Sequence, residues 1–218
     1  GLNGFANDPN WILDAGRDYP RLAWEGTQGQ MIPEPNIDWM EGHGTPESPF
    51  RIDTVDQFIL LSKASILWDK HFVLGADINL DPNLPGGKAF AQAVIPVFSG
   101  VLDGSEHVIS RMTITGGSYL GLFGRLESGA EIKELGIVDA NIAGSGSYVG
   151  GLVGYNHEGT EIRCYSARVV NGNWDVGGLV GYNSSGSHVT QCYSTGTVGG
   201  NLTVGGLVGN NMWGTETK

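Results

Sequence analysis

The side chains able to do chemistry in this sequence are five histidines, a scatter of carboxylates and two cysteines. No two of His43, His71, His107, His157 and His188 stand four residues apart, so the paired histidines of a helix-borne zinc peptidase site are absent. His157-Glu158 has Ser184-Ser185 and Met212-Trp213 as its counterparts in later units, which marks a variable loop position. Asp77, Asp81, Asp103, Glu106 and Asp139 could carry glycoside chemistry if one groove gathered them; spread over turns they would serve only local structure. Cys164 and Cys192 do not amount to a disulfide framework, and two thiols alone do not make a zinc site. No Asp-x-Asp-x-Asp loop or Gly-Gly-x-Gly-x-Asp nonamer is present, so no cofactor is expected, with calcium left possible for an acidic chain but indicated by no motif. Trp174, Trp213 and Tyr148 fall in or near turns, where an aromatic face could stack on a sugar ring or pack at the rim.

Whatever these groups do, a repeat positions them. Val149-Gly-Gly-Leu-Val-Gly-Tyr-Asn156 returns as Val176-Gly-Gly-Leu-Val-Gly-Tyr-Asn183 and as Val204-Gly-Gly-Leu-Val-Gly-Asn-Asn211, at periods of 27 and 28 residues. A weaker copy, Leu120-Gly-Leu-Phe-Gly124, precedes them. Periods of this size indicate solenoids, propellers or arrays, and the unit is short for a propeller blade of roughly 40–45 residues. Between copies lie β-rich runs bounded by Gly, Asn or Ser, such as Glu161–Tyr165, Val189–Tyr193 and Thr195–Val198, with no helix-length amphipathic stretch. The expected fold is therefore all-β: a right-handed parallel β-helix, one coil per repeat, with equivalent side chains stacked in ladders.

The structural positions of the repeat are then Gly121, Gly124, Gly151, Leu152, Gly154, Asn156, Gly178, Leu179, Gly181, Asn183, Gly206, Leu207, Gly209 and Asn211. Asn156, Asn183 and Asn211 are expected to form one ladder, their amides bonding to the copies above and below, in backbone that asparagine tolerates when left-handed. Met112, Leu135, Cys164 and Cys192 are expected to form another, preceded three residues earlier by Ile109, Ile132 and Val189, with the Cys164 unit one residue shorter. Met and Leu at equivalent places make buried, unpaired, apolar cysteines the plain reading.

Composition bounds the function. Glycine, 36 of 218 residues, is abundant without a collagen period and reads as punctuation of many turns. The net charge of −11 argues against nucleic acid and anionic lipid as partners. No apolar run long enough to insert in a membrane and no signal sequence is present, so the chain reads as a mature or excised piece. Thr54-Val-Asp-Gln57 has the form of a capping box before Phe58, Ile59, Leu60 and Leu61, which predicts a short capping helix. The expected division is 1–43 as the tail of a preceding repeat array plus a linker, 44–70 as an N-terminal cap with that helix, and 71–218 as the β-helix, incomplete at its C-terminal end.

The Gly-Gly-Leu-Val-Gly-Tyr-Asn units at 150–156 and 177–183 resemble the GLUG motif of bacterial surface proteins. Phe98–Ile109 is similar to the lead-in of such arrays, Gly44–Ile52 to their opening, and Asp14–Trp24 to the segment that closes one. The resemblance covers residues 44–218 and implies a large secreted or cell-surface bacterial protein, in which the motif also stands beside the peptidase domain of certain immunoglobulin-cleaving enzymes. The motif itself brings no chemistry. The expected role is a non-catalytic structural or adhesive module, whose partners are its own kind stacked head to tail into filaments, neighbouring repeats of the parent protein, or glycans of a cell surface. The alternative is a carbohydrate-binding or carbohydrate-active fragment of the lyase or hydrolase kind.

Overall fold

In the computed structural model the described residues are 11–12, 21–22 and 39–217. The chain forms two compact units, Gly1–Trp39 and Met40–Lys218. In the first, Trp11–Ile12 pairs antiparallel with Arg21–Leu22. The expected array tail at 1–43 otherwise falls almost wholly outside the described residues.

The second unit is a parallel β-solenoid. Its motif sheet stacks Ile95–Phe98, Phe123–Leu126, Val153–Asn156, Val180–Asn183 and Val208–Asn211, each parallel to the next. A second sheet of seven strands runs from Phe50–Ile52 and His71–Leu74 through Glu131–Lys133 and Thr160–Ile162 to Thr215–Thr217. The third is centred on Gly136–Gly144 and Tyr165–Asn171, and a three-stranded sheet of Ser147–Val149, Trp174–Gly177 and Leu202–Gly205 closes the later coils. Chain order visits one strand of each sheet before climbing, so equivalent residues meet about 4.8 Å apart.

Alternation of inward and outward side chains follows the strand period of two. His71–Leu74 buries Phe72 and Leu74, and Glu131–Lys133 buries only Ile132. The lumen of the early coils is dry and aromatic. Phe50, Phe72, Phe98 and Phe123 are all nearly inaccessible, with successive ring centroids 5.7, 6.2 and 5.0 Å apart. Full burial of each such side chain contributes about 1.5–3 kcal/mol.

The capping box forms as the sequence predicts. Thr54 Oγ1 accepts from Gln57 N at 3.2 Å, and Gln57 Oε1 accepts from Thr54 N at 3.0 Å, opening the helix Val55–Leu61. Phe58 and Leu61 are its buried face. The strand Phe50–Ile52 precedes this helix and pairs with His71–Leu74, so the helix is an excursion between two rungs of one sheet. It lies beside Ile78–Asn79, the edge strand of the third sheet, whose exposed flank it covers.

Two local readings are corrected and one is sharpened. The runs Glu161–Tyr165 and Val189–Tyr193 are not single strands but corners, broken at Arg163 and Gln191, where φ is 51° and 54°. The motif glycines Gly151, Gly178 and Gly206 stand at bends between strands, but without left-handed backbone: among the described residues the glycines with positive φ are Gly42, Gly44, Gly86, Gly129 and Gly186, none of them in the motif. The left-handed corners are held instead by residues such as Tyr148, Asp175 and Thr203. What the motif glycines supply is close approach. A Cβ on Gly154 would stand 2.7 Å from Gly124 O, on Gly181 2.6 Å from Gly154 O, and on Gly209 2.6 Å from Gly181 O. A Cβ on Gly151 would meet Ser166 Oγ at 2.1 Å, and on Gly178 would meet Ser194 Oγ at 2.2 Å. The asparagines, finally, are ordinary strand residues, not left-handed ones.

Candidate functional site

The residues singled out from the sequence divide between the lumen and the outer face. In the lumen, register stacks Phe98, Leu126, Asn156, Asn183 and Asn211 at one position. Asn156 Nδ2 donates to Asn183 Oδ1 at 3.1 Å, and Asn183 Nδ2 to Asn211 Oδ1 at 3.1 Å, which is the expected amide ladder. Leu152 and Leu179 are fully buried beside it, and Leu152 N donates to Leu179 O as Leu179 N does to Leu207 O, each at 2.9 Å.

Cys164 stacks on Leu135 and Cys192 on Cys164: Tyr165 N donates to Leu135 O and Tyr193 N to Cys164 O. Met112 does not belong to this ladder. Thr113 pairs with Asn141 in the adjoining part of the third sheet, so Met112 stacks at the rung of Ala140. Arg111, Glu134, Asp139 and Arg163 are all left-handed and each precedes a buried residue, so two different corners carry one local pattern that sequence alone merges.

The Cys164 unit is not one residue shorter either. Ile132, Glu161 and Val189 are directly paired, so the position three before Cys164 is filled by Glu161. Its side chain is wholly inaccessible in a ladder that runs Phe50, Phe72, Leu102 and Ile132 before it and Val189 and the exposed Glu216 after it. Glu161 Oε2 accepts from Asn156 Nδ2 at 2.8 Å, and Oε1 has no partner. Burial, with the Cys192 sulfur nearby, pushes the carboxyl well above the usual carboxylate range. The sequence signal was a charged residue aligned with Ile132 and Val189 on the neighbouring coils; an assumed deletion hid it.

The five carboxylates are not collected. Asp81 Oδ1 accepts from Asn83 N and Nδ2, both at 2.9 Å, in a local turn. Asp103 accepts from Ser105 N at 2.8 Å and pairs with Lys133 Nζ at 3.3 Å. Asp77 accepts from Val108 N and from His107 Nδ1, both at 3.0 Å, contacts that hold its carboxyl below the usual range. Asp139 sits at a left-handed corner. Glu106 lines a hollow of 150 Å³ with Glu134, Arg163 and Tyr165, and none of the other four shares it. That volume is below the roughly 300–1,000 Å³ of ligand pockets. Among the described residues, no three His, Cys, Asp or Glu side chains gather as a metal site, and no helix is long and apolar enough to cross a membrane.

The outer face of the motif sheet holds what the sequence did not single out as a group. Tyr155 and Tyr182 are paired in register and stack at 4.9 Å and 11°. Tyr148 meets them edge-on at 5.3 and 5.5 Å, and Tyr119 lies 4.9 Å from Tyr148. The guanidinium of Arg125 lies over Tyr155 at 5.4 Å. At the upper rim Asp175 Oδ1 accepts from Thr203 Oγ1 at 2.6 Å and Asn210 Nδ2 at 2.8 Å. Partial burial, then the neighbouring phenols, raises Tyr148 and Tyr182, so these hydroxyls stay protonated donors. Of the other aromatics noted, Trp174 is a half-exposed strand residue and Trp213 an exposed left-handed turn residue.

This geometry defines a repeat solenoid with stacked apolar and amide ladders inside and an aromatic flank outside. Residues 172–199 match the family described as the GLUG motif. The chain is similar to halomucin of Haloquadratum walsbyi (strain DSM 16790 / HBSQ001), 30% identical over 143 residues, which is 61% of this chain and 2% of that protein. In fold it is similar, with a TM-score of 0.48 and 17% identity, to a Bacteroides ovatus crystal structure described as an immunoglobulin A1 protease; the match covers 80% of this chain and 69% of that one.

Proposed function

We propose that this chain is a non-catalytic structural and adhesive module of a secreted or cell-surface protein, stacked on neighbouring repeats or further copies of itself. The observation that carries the reading is the unbroken parallel register through the motif sheet, in which each lumen position is filled by its own ladder. Nearest-neighbour stacking of this kind makes a stiff support whose outward positions are free to vary. The separation of the carboxylates, with Asp77, Asp81 and Asp103 each held by local hydrogen bonds or an ion pair, favours support over catalysis. An extracellular place agrees with a relative that is named as a mucin and with the net charge of −11.

The tyrosine flank favours a second, narrower reading: glycans are what the module touches. Half-buried, mutually packed tyrosine rings, edged by Asp175, Asn210 and Arg125, set an apolar surface and polar groups together on one outer face, the combination that sugar recognition uses. The test is retention of the chain on immobilised neutral and acidic polysaccharides, with product analysis of the same mixtures. The expected result is retention without new reducing ends or unsaturated products, weakened at least tenfold in Tyr155→Ala/Tyr182→Ala. Product formation abolished by Glu106→Gln or Glu134→Gln would overturn the non-catalytic reading.

A further inference from the structure

Cys164 and Cys192 occupy one lumen position on successive coils, and both thiols are free. Tyr165 pairs directly with Tyr193, so the preceding cysteines are about one strand spacing apart, roughly 4.8 Å, inside the Cα separations of about 4.4–6.8 Å that a disulfide spans. Cys192 Sγ lies 3.3 Å from Cys164 N, so the upper sulfur points down onto the lower residue. The rung beneath holds Leu135, which leaves the pair without a third thiol to compete.

We propose that this stacked pair is a cross-link site, at which a low-molecular-weight disulfide oxidises Cys164 and Cys192 to an intrachain disulfide that staples one coil to the next. The two sulfurs are not equivalent. Cys164 is fully buried, whereas Cys192 is half-buried, lines a hollow of about 320 Å³ with Val189, Leu207, Glu216 and Thr217, and accepts from the Cys164 backbone N–H at 3.3 Å. Cys192 is therefore the attacking thiolate. Its sulfur displaces one small thiolate from the external disulfide and forms a mixed disulfide. Cys164 then attacks Cys192 Sγ and expels the second small thiolate. The protein loses two electrons and two protons, and the external disulfide gains both as two small thiols. The bond closes a loop across one 28-residue repeat and so restrains the unfolded chain.

The purified chain suffices to test the site. The chain is incubated with glutathione disulfide, denatured, treated with N-ethylmaleimide and weighed intact and as non-reduced peptides. The expected product is two hydrogens lighter than the reduced chain, carries no maleimide, joins the Cys164 and Cys192 peptides, and unfolds at a higher temperature than the reduced chain. Cys164→Ser is expected to stop at a stable glutathione adduct on Cys192, and Cys192→Ser to gain none. Two maleimides on the oxidant-treated wild-type chain, or a lasting glutathione adduct at Cys192 with Cys164 still free, would overturn the proposal; the wild-type measurement decides even if a variant does not fold.

Discussion

The early and late coils share one backbone but fill it differently. Along the motif sheet a single lumen position reads Phe98, Leu126, Asn156, Asn183 and Asn211. In the second sheet another reads Phe72, Leu102, Ile132, Glu161 and Val189. The early coils are held by apolar burial, which needs no specific partner atom on the next rung. The late coils place amides where rings stood, and this is stable only because each amide finds its copy one rung away. Glu161 marks the limit of that device, since one oxygen is bonded and the other is left without a partner.

The largest effect is expected where both regions depend on backbone contact. Gly181→Ala drives a Cβ to 2.6 Å from Gly154 O and from Val149 N, neither of which can yield. Urea unfolding should show a loss of more than about 4 kcal/mol or no folded late coils at all. Phe98→Ala opens a cavity in the dry region and should cost about 3–5 kcal/mol in the same measurement. Asn183→Ala removes the middle of the amide ladder and should cost about 1–3 kcal/mol, less than the phenylalanine but with no cavity of similar size.

Glu161→Val should act in the opposite direction. It replaces a half-satisfied carboxyl by the residue type found one rung above, and should stabilise by about 1–3 kcal/mol at neutral pH. A carboxyl raised in the folded state binds its proton more tightly there than in the unfolded chain. Its contribution is therefore complete below the unfolded value of about 4.3 and is lost as pH rises through the higher folded value. The stability difference between Glu161→Val and wild type should widen across that window, and a difference independent of pH would place Glu161 in water.

Much of this was legible in the sequence because a solenoid repeats its demands. The 27- and 28-residue spacing announced the coil, Thr54 and Gln57 announced the helix, and the asparagine ladder followed from three aligned copies. What failed was local and had local causes. Two corners share the pattern of a left-handed residue before a buried one, so Met112 was assigned to the wrong ladder. Composition shows that glycines mark the bends but not that the motif glycines also let successive coils approach, which depends on their distance to the next coil. The tyrosine flank escaped notice because Tyr119, Tyr148, Tyr155 and Tyr182 lie on different strands and corners, joined only by the climb of the coil.

Everything said of the late coils rests on the register that puts Glu161, and not Ile162, inside. A slip of one residue exchanges the two faces of a strand. Carbon-13 NMR of the Glu161 carboxyl across a pH titration reads this directly. The predicted result is a midpoint far above that of the exposed glutamates in the same spectrum, absent in Glu161→Gln; a midpoint in the ordinary range near 4.3 would show Glu161 facing solvent and would contradict the ladders of the late coils.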